Sequence, residues 1–130
     1  MYRYLFKQPQ PSTTNYEFKM EHAFDKRKKE SSRIINKYPD VVPTIIERSD
    51  KADVPKTKKT KLLPKKTITV GQLIHKIREE VKIDHRQAIF LFVNNCDIPS
   101  TSSTLGEVYE QYKDKDGFLY ITYATENTFG

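Results

Sequence analysis

The sequence predicts an α+β domain in which helices pack on one mixed β-sheet. Two segments begin with a capping-box pair and continue as amphipathic helical stripes. The run 88–93 is apolar throughout and ends at two asparagines, as a buried strand does. At 130 residues the chain suffices for one hydrophobic core but not two. We expect the order helix, strand, strand, helix, strand, helix, strand.

The first half of the domain has weaker signals. A basic helix is expected over about residues 24–38, and the proline that follows at position 39 is expected to end it. The β-branched run 41–47 predicts a strand, but Pro43 cannot donate to a ladder and argues against a central position. A second strand is expected near residues 61–63.

The second half is clearer. Thr69 and Gln72 have capping-box spacing, and Thr104 and Glu107 repeat it before another amphipathic stripe. The last strand is expected over 118–123. The apolar face of the first of these helices consists of Val70, Leu73, Ile74, Ile77 and Val81.

Positive charge is concentrated before residue 79. The chain carries a net charge of +6, and the stretch 54–78 contains no acidic residue. Such a surface attracts acidic peptides, anionic lipid headgroups or nucleic acid. A solvated lysine-rich loop without a partner is the alternative. Six lysines crowd the eleven positions 56–66: Lys56, Lys58, Lys59, Lys61, Lys65 and Lys66.

Residues for catalysis or metal binding are not evident. His22, His75 and His85 lie far apart and have no metal-ligand spacing to Cys96, the single cysteine. The sequence contains neither a glycine-rich phosphate loop nor a nucleophile elbow. We therefore predict that the chain is not an enzyme and has no catalytic residues, cofactor or metal site. The sequence names no base beside Cys96, so we expect a small apolar role for its thiol.

The sequence also bears on the compartment. No apolar run approaches the roughly 20 residues that a spanning helix needs, and the run 2–6 is too short for a signal peptide. One cysteine permits no internal disulfide, which suits a reducing compartment. The expected location is the cytoplasm.

The chain ends on a glycine after a strand-like run. Gly130 carries a carboxylate with no Cβ beside it, on a backbone free to adopt any φ. Such an end can be threaded through a narrow active site and attacked at its carbonyl carbon with little hindrance. Proteins that are joined to amines through their own C-terminus need this kind of end.

Several short motifs occur in order along the chain. They are Lys37-Tyr38-Pro39-Asp40, Val42-Pro43, Thr69-Val70-Gly71-Gln72, Phe92-Val93-Asn94-Asn95, Asp116-Gly117-Phe118-Leu119-Tyr120 and Glu126-Asn127-Thr128-Phe129-Gly130. In these motifs the chain resembles the autophagy ubiquitin-like modifiers (the GABARAP and microtubule-associated protein light chain group) over roughly residues 16–130. The resemblance implies a ubiquitin-like β-grasp fold with a four-stranded mixed sheet and two additional N-terminal helices.

The resemblance also implies a division of the chain. Residues 1–14 are expected to form a flexible N-terminal extension, and residues 15–124 the ubiquitin-like domain with its N-terminal helices. Residues 125–130 are expected to form a flexible C-terminal conjugation tail. Tyr2 and Leu5 have the spacing of an aromatic-x-x-aliphatic peptide, so a further hypothesis is that the extension docks on its own domain.

Members of this family are substrates of a conjugation pathway. The resemblance implies that a processing cysteine protease exposes Gly130 and that activating and conjugating enzymes then carry it. Amide linkage to phosphatidylethanolamine would move the protein from the cytoplasm to autophagosomal or vesicle membranes. There it would act in autophagosome formation and cargo recruitment.

Receptor binding is the second implied activity. Autophagy receptor peptides of the aromatic-x-x-aliphatic type add a strand to an exposed sheet edge while two side chains enter pockets. The resemblance assigns the aromatic pocket to Glu30, Ile34, Pro43, Ile45, Lys61, Leu63 and Phe118. It assigns the aliphatic pocket to Leu62, Pro64, Ile68, Leu73 and Ile77, and contacts with acidic flanking residues to Lys58 and Lys59. Plain core packing is the alternative for each apolar member.

Three positions depart from the family pattern and bear on peptide specificity. Val41 stands where a basic residue is usual, which is expected to weaken one acidic contact. His75 and Lys76 replace residues that are often apolar, so the aliphatic pocket is expected to be shallower or differently rimmed.

Two other functions fit parts of the sequence. An unconjugated ubiquitin-like module would use the basic N-terminal half to bind acidic or cytoskeletal partners such as tubulin. A nucleic-acid-binding domain would need exposed aromatic residues on a sheet face, whereas Phe90 and Phe92 belong to a run predicted to be buried. We therefore expect no nucleic acid partner.

Overall fold

A computed structural model describes residues 6–7, 15–50, 54–125 and 127–128. The helices are α1 (Glu17–Glu21), α2 (Phe24–Lys37), α3 (Val70–Val81) and α4 (Leu105–Tyr112). The strands are β1 (Phe6–Lys7), β2 (Thr44–Arg48), β3 (Lys61–Leu62), β4 (Ile89–Val93), β5 (Leu119–Thr125) and β6 (Asn127–Thr128). No helix within these ranges is long and apolar enough to cross a membrane.

The main sheet has four strands in the order β3-β2-β5-β4. β2 and β5 run parallel at its centre, with Thr44 opposite Leu119 and Ile45 opposite Tyr120. The outer pairs, β2 with β3 and β4 with β5, are antiparallel. β5, the last of these four strands in sequence, therefore lies at the centre of the sheet, between β2 and β4. The sheet is mixed, as the resemblance implied.

Side chains of β5 alternate between two cores, as the pleat requires. Leu119, Ile121 and Tyr123 belong to the larger cluster, which also contains the apolar faces of α3 and α4. Tyr120 and its neighbour Phe118 belong to a smaller cluster with Ile34 of α2. α3 and α4 thus cover one sheet face and the N-terminal helices the other, which confirms the predicted ubiquitin-like β-grasp with added N-terminal helices.

Both predicted capping boxes are present. The Thr69 hydroxyl accepts a hydrogen bond from the Gln72 N–H, and the Gln72 side chain accepts one from the Thr69 N–H. Thr104 and Glu107 make the same reciprocal pair. Glu107 has a lowered pKa because the Thr104 N–H and hydroxyl bond to its carboxylate. Local sequence therefore fixes where α3 and α4 begin.

The strand predicted over 41–47 begins later, at Thr44, and lies centrally between β3 and β5. Pro43 precedes the strand, and its carbonyl accepts a hydrogen bond from the Leu119 N–H. Because Pro43 lies outside the strand, its missing N–H removes no hydrogen bond from the ladder. The proline is therefore compatible with the central position of β2.

Helix α1 depends on a distant residue. The N–H groups of Glu17 and Phe18 both donate to the Glu47 carboxylate of β2, each at 3.0 Å. The helix's own N-cap residue, Tyr16, makes no side-chain cap. A carboxylate at this end also complements the helix dipole. The short helix is thereby fastened to the sheet.

Candidate peptide-binding groove

β3 forms one edge of the main sheet. It pairs with β2 on one side only, and no strand covers its other side among the described residues. An uncovered edge offers backbone N–H and C=O groups to an incoming extended chain. The resemblance implies two side-chain pockets for a peptide that pairs with such an edge.

The residues predicted for the aromatic pocket come largely together. Ile34, Ile45 and Phe118 pack in the smaller cluster and are 8%, 0% and 0% exposed. Pro43 is buried, and its carbonyl bonds to the backbone of β5. Leu63 departs from this group, because it lines a cavity with residues assigned to the aliphatic pocket.

An ion pair closes the top of the aromatic cluster. The Lys61 ammonium on β3 pairs with the Glu30 carboxylate on α2 and lies 5.9 Å from the Phe18 ring centroid. Both partners keep some exposure to solvent, so their attraction is screened and modest.

A cavity of about 190 Å³ lies beside the C-terminal end of β3. Four residues assigned to the aliphatic pocket line this cavity, namely Leu62, Pro64, Leu73 and Ile77, whereas Ile68 packs against the larger core cluster and is not among the lining residues. Three lining residues were not assigned to the aliphatic pocket: Leu63, Lys76 and Glu80. Helical spacing would have identified the last two, because residues 73, 76, 77 and 80 share one face of α3.

The cavity has a charged rim. Lys76 and Glu80 lie one helical turn apart on α3 and both border the apolar lining. Glu80 accepts a hydrogen bond from the Thr57 hydroxyl at 2.6 Å, while the Thr57 N–H donates to the Tyr123 hydroxyl at 2.8 Å. These bonds hold the lysine-rich segment beside the groove, where Lys58 and Lys59 are exposed.

A buried carboxylate lies behind the aromatic cluster. Asp116 is fully buried and accepts hydrogen bonds from the Arg27 guanidinium at 2.6 Å, the Phe118 N–H at 2.9 Å and the Tyr120 hydroxyl. Burial, together with the bond to the Asp116 carboxylate, raises the pKa of Tyr120 far above its ordinary range. The network joins α2 to the start of β5 and so sets the wall of the aromatic pocket. No sequence motif singled out Asp116 for this role.

The remaining predicted features differ in what the structure says of them. Gly130, Tyr2 and Leu5 lie outside the described residues. Within the described ranges, no group of three His, Cys, Asp or Glu side chains could hold a metal ion. Cys96 is exposed, and its thiol donates to the Val93 carbonyl at 3.8 Å. Its predicted apolar packing role is therefore wrong, because the loop after β4 leaves it at the surface.

Residues 26–130 match the family described as Autophagy protein Atg8 ubiquitin like. The chain belongs to this family. It is 50% identical over 113 residues to autophagy-related protein 8e of Arabidopsis thaliana, an alignment that covers 87% of this chain and 92% of the relative. Autophagy-related protein 8 of Mycosarcoma maydis is 47% identical over 113 residues, covering 87% and 95%.

A solved structure agrees with the family. The crystal structure of Trypanosoma brucei ATG8 matches with a TM-score of 0.83 and 32% identity, covering 90% of this chain and 100% of that one. The resemblance predicted from the motifs is confirmed, and the chain is a ubiquitin-like autophagy protein of the Atg8 family.

Proposed function

We propose that this protein is a modifier conjugated through Gly130 to phosphatidylethanolamine, and that it displays a docking groove for aromatic-x-x-aliphatic receptor peptides. The observation that carries the groove is the edge of β3, which no strand of the described residues covers, with an apolar cavity of about 190 Å³ beside it. Family membership supports the conjugation. No catalytic residue is assigned.

Peptide capture would proceed by strand addition. The peptide's backbone pairs with β3, and its aliphatic side chain fills the cavity lined by Leu62, Leu63 and Leu73. Its aromatic side chain displaces the Lys61–Glu30 pair and packs on Ile34. Three residues of extended chain span about 10 Å, which separates the two side chains along the edge.

Charge supports a choice of peptide. Lys58 and Lys59 are exposed beside the groove, so acidic residues flanking the aromatic position gain a long-range attraction. Lys61, once released from Glu30, would add to it. Because this attraction is between exposed charges, it weakens as salt concentration rises.

Conjugation would supply the membrane anchor. The carbonyl carbon of Gly130 is transferred from enzyme thioesters to the headgroup amine, and two acyl chains hold a domain on a bilayer stably where one chain is marginal. The partners in this scheme are the processing protease, the activating and conjugating enzymes, and phosphatidylethanolamine itself. The free protein is cytoplasmic and the conjugate lies on autophagosomal or vesicle membranes.

Reconstitution tests the proposal. The full chain is incubated with matching activating and conjugating enzymes, ATP and phosphatidylethanolamine liposomes, and the products are resolved by gel shift. We expect a shifted, liposome-bound band that is lost in the chain lacking Gly130. Liposomes without phosphatidylethanolamine serve as the control. Equal shift with and without Gly130 would contradict conjugation at this residue.

A second candidate is favoured by the surface of α2. Five cationic side chains of this helix are exposed: Lys26, Lys28, Lys29, Arg33 and Lys37. An unconjugated module could use them to hold acidic partners such as tubulin tails. Indifference of membrane recruitment in cells to deletion of Gly130 would favour this second candidate.

A further inference from the structure

The N-terminal extension and the C-terminal tail meet in a second, two-stranded sheet. β1 pairs with β6 in antiparallel orientation, with Phe6 opposite Thr128 and Lys7 opposite Asn127. We propose that β1 is an intramolecular cover that occupies the backbone edge of the tail and must leave before an enzyme takes the tail. The proposal rests on the function proposed above, because it concerns access to the conjugation site.

The chain that precedes α1 lies beside β5. The Tyr16 ring lies 4.8 Å from the Tyr120 ring of β5, between ring centroids. Asn15 and Thr122, the next positions outward, line one cleft together. The chain just before α1 therefore lies beside β5 at Tyr16 and Asn15, and farther out the N-terminal segment β1 pairs with β6, which follows β5 in the chain.

Chain length permits the pairing. From Asn15 back to Lys7 the chain can span at most about 28 Å, and from Thr122 to Asn127 a strand covers about 17 Å. The extension therefore reaches its partner with slack and without distorting the domain. The connection between Lys7 and Asn15 is short, so fixing its two ends carries a small entropic cost.

The cover is weak enough to be displaced. A two-stranded pairing is only marginally stable in water, so covered and uncovered states are both populated. Within one chain, however, the extension stays at a high effective concentration near the tail. An enzyme groove that binds the tail in extended form then acts on the uncovered fraction, and its apparent rate falls by that fraction.

Backbone-directed variants test the pairing. Phe6→Pro with Lys7→Pro removes both β1 amide donors, whereas Phe6→Ala with Lys7→Ala keeps them and serves as the matched control. Two readouts use the full chain: amide hydrogen exchange by NMR at whichever of Asn127 and Thr128 stands in the hydrogen-bonded pair with β1, and removal of C-terminal residues by a carboxypeptidase. If the tail is covered half to four-fifths of the time, the proline variant should be about two- to fivefold faster in both.

Three results would overturn the cover. Native rates in the proline variant would show that β1 does not protect the tail. Equal acceleration in the proline and alanine variants would show that backbone donors are not responsible. Protection that rises with protein concentration would show that a second copy, rather than the chain's own extension, occupies the tail.

Lipidation then tests the consequence. At enzyme concentrations below saturation, the proline variant should be conjugated about two- to fivefold faster than the native chain. Faster digestion with an unchanged lipidation rate would overturn the regulatory role. If neither chain is lipidated, the proposed conjugation fails, while exchange and digestion still decide whether the cover exists.

Discussion

The Arg27 guanidinium lies 2.6 Å from the Asp116 carboxylate, and the carboxylate side chain has no exposed surface. The same carboxylate also accepts from the Phe118 N–H and the Tyr120 hydroxyl, so the buried charge is both paired and hydrogen-bonded. Helix α2 is thereby fixed to the start of β5. This contact fixes the N-terminal helical region against the ubiquitin-like core.

Asp116→Asn should be strongly destabilising. The change leaves Arg27 without its charge partner in a buried setting, and breaking one side of such a pair costs about 3–5 kcal/mol. Urea unfolding at neutral pH measures the loss. Asp84→Asn is the matched control, because its pair with Arg86 is exposed and its loss should change the free energy of unfolding far less than Asp116→Asn does. Equal losses in both variants would contradict a structural role for Asp116.

Gly117→Ala should also destabilise the domain. Gly117 has φ +91°, which L side chains rarely adopt, and a Cβ there would overlap the Ser31 hydroxyl oxygen of α2. We expect a loss of about 2–4 kcal/mol in the free energy of unfolding. Gly71→Ala is the control, since its nearest neighbour, the Thr101 carbonyl oxygen, lies 3.3 Å from the added Cβ. A loss no greater than that of the control would show that the turn relaxes.

Leu63→Ala should weaken binding of an aromatic-x-x-aliphatic peptide with little effect on folding. The Leu63 side chain lines the cavity and is already 40% exposed, so its truncation removes a peptide contact more than a core contact. Loss of one apolar anchor costs about 2 kcal/mol, or roughly 30-fold in Kd by calorimetry. Ile98→Ala, at an exposed position that does not line the cavity, should bind normally. Unchanged affinity in Leu63→Ala would place the groove elsewhere.

Lys19 and Asp114 should contribute to stability in a pH-dependent way. Burial alone would raise the pKa of Asp114, but hydrogen bonds from the Lys19 ammonium and the Asp116 N–H outweigh it and lower the pKa. Because the folded pKa lies below the unfolded value of about 3.9, the stabilisation is present above that value and is lost as pH falls through the folded pKa.

Lys19→Met tests this dependence. The stability gap between the native chain and the variant should be widest near neutral pH and should shrink as the pH falls below the unfolded value of about 3.9 and through the lowered folded pKa of Asp114. Lys113→Met removes a cation whose pair with Glu110 is exposed, and its small gap should vary less with pH. Urea midpoints across this range measure both. A Lys19→Met gap that stays constant would exclude Asp114 as the linked group.

Sequence predicted the elements that local residues specify. The capping boxes at Thr69 and Thr104 located both core helices, and the apolar run before Asn94 located β4. The local sequence pattern did not predict α1, which only the family resemblance implied. The residue that caps this helix is Glu47, about 30 positions later in the chain. A cap supplied from another strand leaves no local pattern.

The candidate site divided in the same way. Residue-by-residue transfer from the family brought Ile34, Ile45 and Phe118 into one cluster. The same transfer placed Leu63 with these residues, whereas its side chain lines the cavity. Leu63 follows a strand of only two residues, and the direction of its side chain depends on how the chain turns after that strand. The pairing of β1 with β6 joins opposite ends of the chain, and no sequence period reports such a contact.

The parallel pairing of β2 with β5 also governs when this chain can fold. Thr44 meets Leu119 and Arg48 meets Tyr123, so the central ladder joins residues about 75 positions apart. Contacts at such separation form slowly, because loop closure precedes any gain from pairing. During synthesis the chain emerges N-terminal end first, so β3 becomes available to β2 early but the parallel partner β5 only when nearly the whole sequence has been made. Ile45 and Ile46 of β2, which are buried in the folded domain, therefore stay without their parallel neighbour until β5 has been synthesised.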